Sequence, residues 1–144
     1  MKRFLILTAL FVLIGGCANM TAPNEPNASQ LAAATYPNPI PPSKFESAIK
    51  EWASDNLVDP ESLRIRGVDS EPAKKGWIAV CTHWNGYGCS DRMFYFGHLF
   101  NARINAKNKQ GGYTGFTDYI FVIRGDEISY GTKSENITNR YIFK

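Results

Sequence analysis

The chain has 144 residues, 44% of them hydrophobic and 13% aromatic, enough for one domain with its own core and too little for two. Its formal charge of +3 comes from 16 basic and 13 acidic residues, and Lys2 and Arg3 belong to a segment expected to be removed. The remainder is near neutral and has no basic run. That excludes the footprint of a nucleic-acid binder and of a protein held on an anionic bilayer by charge alone.

Residues 1–16 have the parts of an export signal: Lys2 and Arg3, an apolar run over 4–14, then Gly15 and Gly16. The run is shorter than the roughly 20 residues a bilayer-spanning helix needs. The next four positions are more specific. Ile14-Gly15-Gly16-Cys17 resembles the bacterial lipobox, departing from it only in having isoleucine where leucine is usual. The resemblance implies cleavage before Cys17 and acylation of its thiol, so that the first expected partner is a lipid bilayer reached through Cys17. An incidental cysteine behind a generic signal is the alternative. Ala18 stands where an aspartate would hold such a protein at the inner membrane, which points to the outer membrane, facing the periplasm.

Residues 17–42 carry Pro23, Pro26, Pro37, Pro39, Pro41 and Pro42 among Ala, Asn, Ser and Thr, with no apolar period. The composition predicts a flexible, partly polyproline-like tether in which 31–34 form at most a helical turn. A proline-rich recognition peptide is the sharper alternative.

Residues 43–144 are expected to form a single globular domain. Ser43 and Glu46 have the capping-box spacing, and Phe45, Ala48, Ile49, Trp52 and Ala53 recur at helical intervals, so a helix should run to about Asn56. Asp59 and Pro60 suit a turn. Strands are expected over 63–68 and 76–84, with a loop over 85–92. Residues 94–130 read as three further strands: strict alternation from Phe100 to Lys107, an all-apolar stretch over 119–123, and a two-residue Gly125-Asp126 turn into 127–130. An edge strand is expected in the tail at 140–143. The fold class that follows is α+β, one N-terminal amphipathic helix packed on an antiparallel sheet of about five strands.

Two blocks carry a further resemblance. Residues 57–62 (Leu-Val-Asp-Pro-Glu-Ser), and Asn105-Ala106-Lys107-Asn108 followed after two residues by Gly111-Gly112-Tyr113-Thr114-Gly115-Phe116, are similar to segments of small bacterial envelope proteins of unknown function. The similarity runs from about 45 to 128, with 77–96 longer and more aromatic than in that group. It implies the fold and the compartment and no activity.

Cys81 and Cys89 flank a glycine-containing loop between two strands, and export would place them in an oxidising compartment, so a disulfide is expected. The alternative is a metal site in which His83 and His98 join the two sulfurs, although the spacing fits no familiar zinc module. His83 or His98 as a general base near Ser90 or Asp91 lacks a nucleophile frame, and His98 shares a strand face with Phe96 and Phe100, as a core histidine would. Residues 111–115 lack the Gly-Lys-Ser/Thr of a phosphate loop. Arg124-Gly125-Asp126 spells an adhesion tripeptide but reads first as a turn. Trp84, Tyr87, Tyr113 and Phe116 lie in or beside the two loops and are the candidate partner-binding residues. The expectation is therefore a non-catalytic, lipid-anchored envelope protein, without cofactor or metal, that binds an envelope protein or glycan. A small extracytoplasmic hydrolase or metal-binding protein using the His83/His98 region is the alternative, and a purely architectural accessory is a third reading.

Overall fold

The computed structural model describes residues 22–144; Cys17, the lipobox and the export signal lie outside the described residues. Two α-helices, α1 (Ala28–Ala33) and α2 (Phe45–Asn56), precede six strands: β1 (Arg64–Arg66), β2 (Lys74–Trp84), β3 (Cys89–Asn105), β4 (Thr117–Arg124), β5 (Glu127–Lys133) and β6 (Ile137–Ile142). The strands form one antiparallel sheet in the order β5-β4-β3-β2-β6, with β1 beside the end of β3. The architecture is thus one main helix on a six-stranded sheet. It differs from expectation in two ways: the count is six rather than about five, and the main helix is not N-terminal, because α1 precedes it.

The start of α2 also departs from the sequence pattern. Ser43 does not cap it; the tandem prolines lead into a 3-10 turn, Pro42–Lys44, that takes Ser43 inside, and Lys44 stands at the cap with no side-chain bond. The apolar stripe reads through as expected, burying Phe45, Ala48, Ile49 and Ala53. Phe45 stacks on Phe100 of β3 and Trp52 meets Phe121 of β4 edge-on, with ring centroids 4.1 and 5.2 Å apart. Gly131 on β5 lies under this contact. A methyl group there would come within 2.7 Å of the Phe121 ring and 2.9 Å of Trp52, so the close approach of helix to sheet needs the bare backbone.

β3 runs for 17 residues and is the spine of the sheet. Its β4 side is paired from His98 to Ile104, while its other side pairs first with β2 and then with β1. Between those two partners Asp69 takes the place of a strand, accepting from the Asn101 backbone N–H (2.8 Å) and side-chain amide (2.9 Å). β4 buries Ile120, Phe121, Val122 and Ile123 on both faces, as its unbroken apolar run predicts. The β4–β5 turn is the expected two-residue Gly125-Asp126, Arg124 opposing Glu127; Gly125 has φ +69° while Asp126 does not have positive φ, the pattern of a type II′ turn.

The sheet is strongly coiled. β5 and β6 are its opposite edges, yet only Ser134–Asn136 join them. Four strand spacings in a flat sheet amount to about 19 Å, while the chain from Lys133 to Ile137 reaches at most about 14 Å. Coiling buries one face with neither α1 nor α2 upon it: Ile78, Val80, Leu99, Ile120 and Val122 form this concave core, closed by Ile137 and by Tyr95 stacked on Tyr130 at 3.6 Å.

The convex face has two covers. α2 takes the half with Phe100, Ala102, Ile104, Phe121 and Ile123. Residues 22–42, expected to be a free tether, lie over the other half. Pro26 is buried, the Tyr36 ring sits edge-on to His98 and Phe143, and Lys75 places its ammonium 4.4 Å from the Tyr36 centroid. The carbonyls of this segment, left without partners by its many prolines, accept from sheet side chains: Arg92 donates to Ala22 and Pro23, and Asn139 to Asn24 at 3.0 Å. Arg124 donates to the Thr35 hydroxyl at 2.7 Å. The short α1 has its own capping box, made reciprocally by Asn27 and Gln30.

Candidate functional site

The end of the β2–β3 hairpin is the most exposed apolar structure in the described residues. Cys81 and Cys89 are joined by a disulfide, with Cα atoms 5.7 Å apart. They do not face each other directly: Cys81 opposes Arg92 and Cys89 opposes Trp84, and irregularities in the ladder after Cys81 and after His83 bring the two sulfurs together. Beyond the bond the chain reverses at Gly86-Tyr87. The Asn85 N–H donates to the Gly88 carbonyl at 3.1 Å, the Asn85 side chain accepts from the N–H groups of Tyr87 and Gly88, both at 3.0 Å, and Gly86 takes φ +88°. This braced turn holds two large rings in solvent, with Trp84 65% and Tyr87 88% exposed.

The N-terminal segment begins at the same place. The Ala22 N–H donates to the Cys89 carbonyl at 3.0 Å, and Arg92 holds the Ala22 and Pro23 carbonyls from the side. Nothing in the sequence marked Arg92; only its partner's position, seventy residues upstream, gives it this role.

The other two candidate aromatics lie elsewhere. Tyr113 and Phe116 sit in the loop after β3, at the opposite end of that strand, about 50 Å from the hairpin tip along an extended chain of this length. They are engaged with β1: the guanidinium of Arg64 lies 4.1 Å from the Tyr113 centroid and that of Arg66 4.1 Å from the Phe116 centroid. The Tyr113 hydroxyl donates to the Ser62 carbonyl at 3.0 Å. Asn108 shapes the loop by accepting from Gln110 and Gly112. The four aromatics therefore form two separate surfaces, and of the four only Trp84 and Tyr87 lack ring partners among the described residues.

The histidines are also apart. His98 opposes Lys75, eight residues down β2 from His83, so about 25 Å of strand separates them. His83 is exposed, whereas burial, reinforced by the neighbouring Lys75 ammonium, holds the His98 pKa below its ordinary range. His98 lies on the face of Phe96 and Phe100, as expected of a core histidine, and its Nδ1 is buried and unpartnered among the described residues, as is the Tyr36 hydroxyl beside it. With both cysteines bonded, the residues set out as a metal set are not brought together, and no group of three or more His, Cys, Asp or Glu among the described residues is placed to hold a metal ion.

Compared with known proteins, the chain matches no family model, no curated protein and no solved structure.

One cleft of about 420 Å³ lies between α1 and β3, lined by Gln30, Thr35, Phe94, Phe96, Arg124 and Ser129 among others. Arg124, its one charged residue among those described, is already engaged by Thr35, and no nucleophile–base pair among the described residues faces it. No helix among the described residues is long and apolar enough to cross a membrane.

Proposed function

We propose that this chain is a bacterial lipoprotein, acylated at Cys17 and held at the periplasmic face of the outer membrane, where it serves as a non-catalytic binding or accessory protein for an envelope protein or glycan. The observation that carries the reading is the sequence at the start: Lys2-Arg3, an apolar run too short to span, and Ile14-Gly15-Gly16-Cys17. Two or three acyl chains at about 0.8 kcal/mol per buried methylene make an effectively permanent anchor. The Cys81–Cys89 disulfide supports the extracytoplasmic assignment, since such bonds persist where thiols are not kept reduced. The similarity of 105–116 to segments of small envelope proteins supports the same compartment.

The aromatic surfaces open to partners, the bilayer among them, are the hairpin tip with Trp84 and Tyr87 and the distal loop with Tyr113 and Phe116. The competing reading, a hydrolase or metal-binding protein built on His83 and His98, has no observation in its favour. Mass spectrometry of the mature N-terminus from cells, with and without Cys17→Ser, tests the anchor: acyl mass on Cys17 is expected, and an unmodified chain beginning at Met1 overturns it. Crosslinking in cells then identifies the partner, and capture that survives both Trp84→Ala and Tyr113→Ala would move the binding surface elsewhere.

A further inference from the structure

The hairpin tip and the route to Cys17 meet at one point, and this assigns the tip a ligand. We propose that Trp84 and Tyr87 seat in the headgroup region of the bilayer that carries the Cys17 anchor, giving the domain a second contact with the membrane and a fixed orientation upon it. The proposal rests on the lipoprotein reading and goes beyond it.

The argument is one of chain length. Ala22 is fixed against Cys89 by a 3.0 Å backbone hydrogen bond, and Cys89 is the cross-strand partner of Trp84. Only five residue steps separate Ala22 from Cys17. Fully extended they reach about 18 Å, and as a coil they average about 12 Å. A sulfur held in the bilayer surface therefore keeps Ala22, and the hairpin end beside it, within that distance of the headgroups. Docking of residues 22–42 along the sheet is what makes this bound tight. A free tether running to residue 42 would have left the domain's position open.

What the anchor brings to the surface has the right chemistry. Trp and Tyr concentrate where membrane meets water, because each has an apolar body and a polar end. Trp84 and Tyr87 are 65% and 88% exposed, and neither the indole N–H nor the phenol bonds to protein among the described residues. The disulfide and the Asn85-braced turn hold both rings out, so little ordering is lost on seating them. The tip has no cluster of basic residues, which makes the contact interfacial rather than coulombic. Two rings alone bind weakly, and the short link to the anchor supplies the high local concentration they need. In this orientation Tyr113 and Phe116 follow the other end of β3, about 50 Å along the strand, as the surface left for a periplasmic partner.

The test uses the mature protein purified from membranes, its acylation verified by mass spectrometry, in phosphatidylethanolamine–phosphatidylglycerol vesicles with and without acyl-brominated lipid. Tryptophan emission is compared between the native chain and Trp84→Phe, leaving Trp52 and Trp77 as the common background. Loss of the Trp84 component on bromination, insensitive to added salt, is expected. An acylated protein whose Trp84 emission is not quenched overturns the membrane contact and leaves the lipoprotein reading standing. A chain without acyl mass overturns both. A photocrosslinker at position 87 that captures a protein rather than lipid in cells overturns the bilayer as occupant in favour of a protein partner.

Discussion

Phe45 of α2 lies over Phe100 of β3 with ring centroids 4.1 Å apart and planes inclined by 20°, and both residues are essentially excluded from solvent. This stack is the point where the main helix is pinned to the spine of the sheet. Phe45→Ala should cost about 3–5 kcal/mol, the range for a buried aromatic truncated to alanine. Lys50→Ala, on the exposed side of the same helix, should stay within about 0.5 kcal/mol. Urea unfolding of both variants checks the contrast; equal midpoints would mean that α2 is not seated as described.

Gly131 should be intolerant of a methyl group. The added atom would lie 2.7 Å from the Phe121 ring and 2.9 Å from Trp52, both held by packing, so Gly131→Ala should destabilise by about 1–3 kcal/mol through overpacking. The companion substitution Gly112→Ala, whose nearest neighbour would be 3.8 Å away, should be nearly silent in the same thermal unfolding measurement.

The disulfide closes a loop with a sequence separation of eight, which corresponds to about 2.5 kcal/mol in the chain-entropy treatment. The double variant Cys81→Ser/Cys89→Ser should lose stability of that order while its far-ultraviolet circular dichroism is retained. Hydrogen exchange should quicken first in residues 82–92. An increase spread evenly over the whole sheet would argue against a brace confined to the hairpin.

His98 gives stability a pH dependence with a defined sign. Burial and Lys75 lower its affinity for a proton in the folded state, so below its ordinary value of 6.5 the unfolded chain binds more protons than the folded one. This contribution is complete above pH 6.5 and falls away as the pH drops beneath it. Melting temperature should therefore decline as the pH falls below 6.5, and His98→Phe should flatten the decline. A variant with an unchanged slope would assign the dependence to other groups.

Arg92 should govern the N-terminal segment without governing the core. Arg92→Ala removes the donor to the Ala22 and Pro23 carbonyls, so the Ala22 amide should lose protection in hydrogen exchange while Phe121 and Val122 keep theirs. Matching losses at all three sites would mean that the segment and the sheet unfold as one unit.

The elements legible in the sequence were those with a strong period. Phe100, Ala102 and Ile104 alternate with Asn101 and Arg103 and are buried on one face of β3; the stripe from Phe45 to Ala53 is the buried side of α2. Asp59 caps the turn that Pro60 opens, its carboxylate accepting from the Ser62 N–H at 3.2 Å. What could not be read was set by tertiary contact. Ser43 has the spacing of a cap but is absorbed into the turn forced by Pro41 and Pro42. Residues 22–42 have no apolar period because they bind through isolated side chains, Pro26, Tyr36 and Ile40, and through main-chain carbonyls. Trp84 and Tyr113 look equivalent as loop aromatics, yet the length of β3 separates them, since the strand starts at Cys89 and takes in residues that read as loop.

The three-residue step from β5 to β6 also dictates an order of assembly. β6 follows the other five strands and pairs with β2, far upstream, so Ile78 and Val80 have no neighbour on that side until residues 137–142 have emerged. A chain truncated before Ile137 would present the β2 edge as a bare hydrogen-bonding template beside an open apolar trough. Such a fragment would recruit copies of itself, which makes β6 the molecule's own guard against self-association.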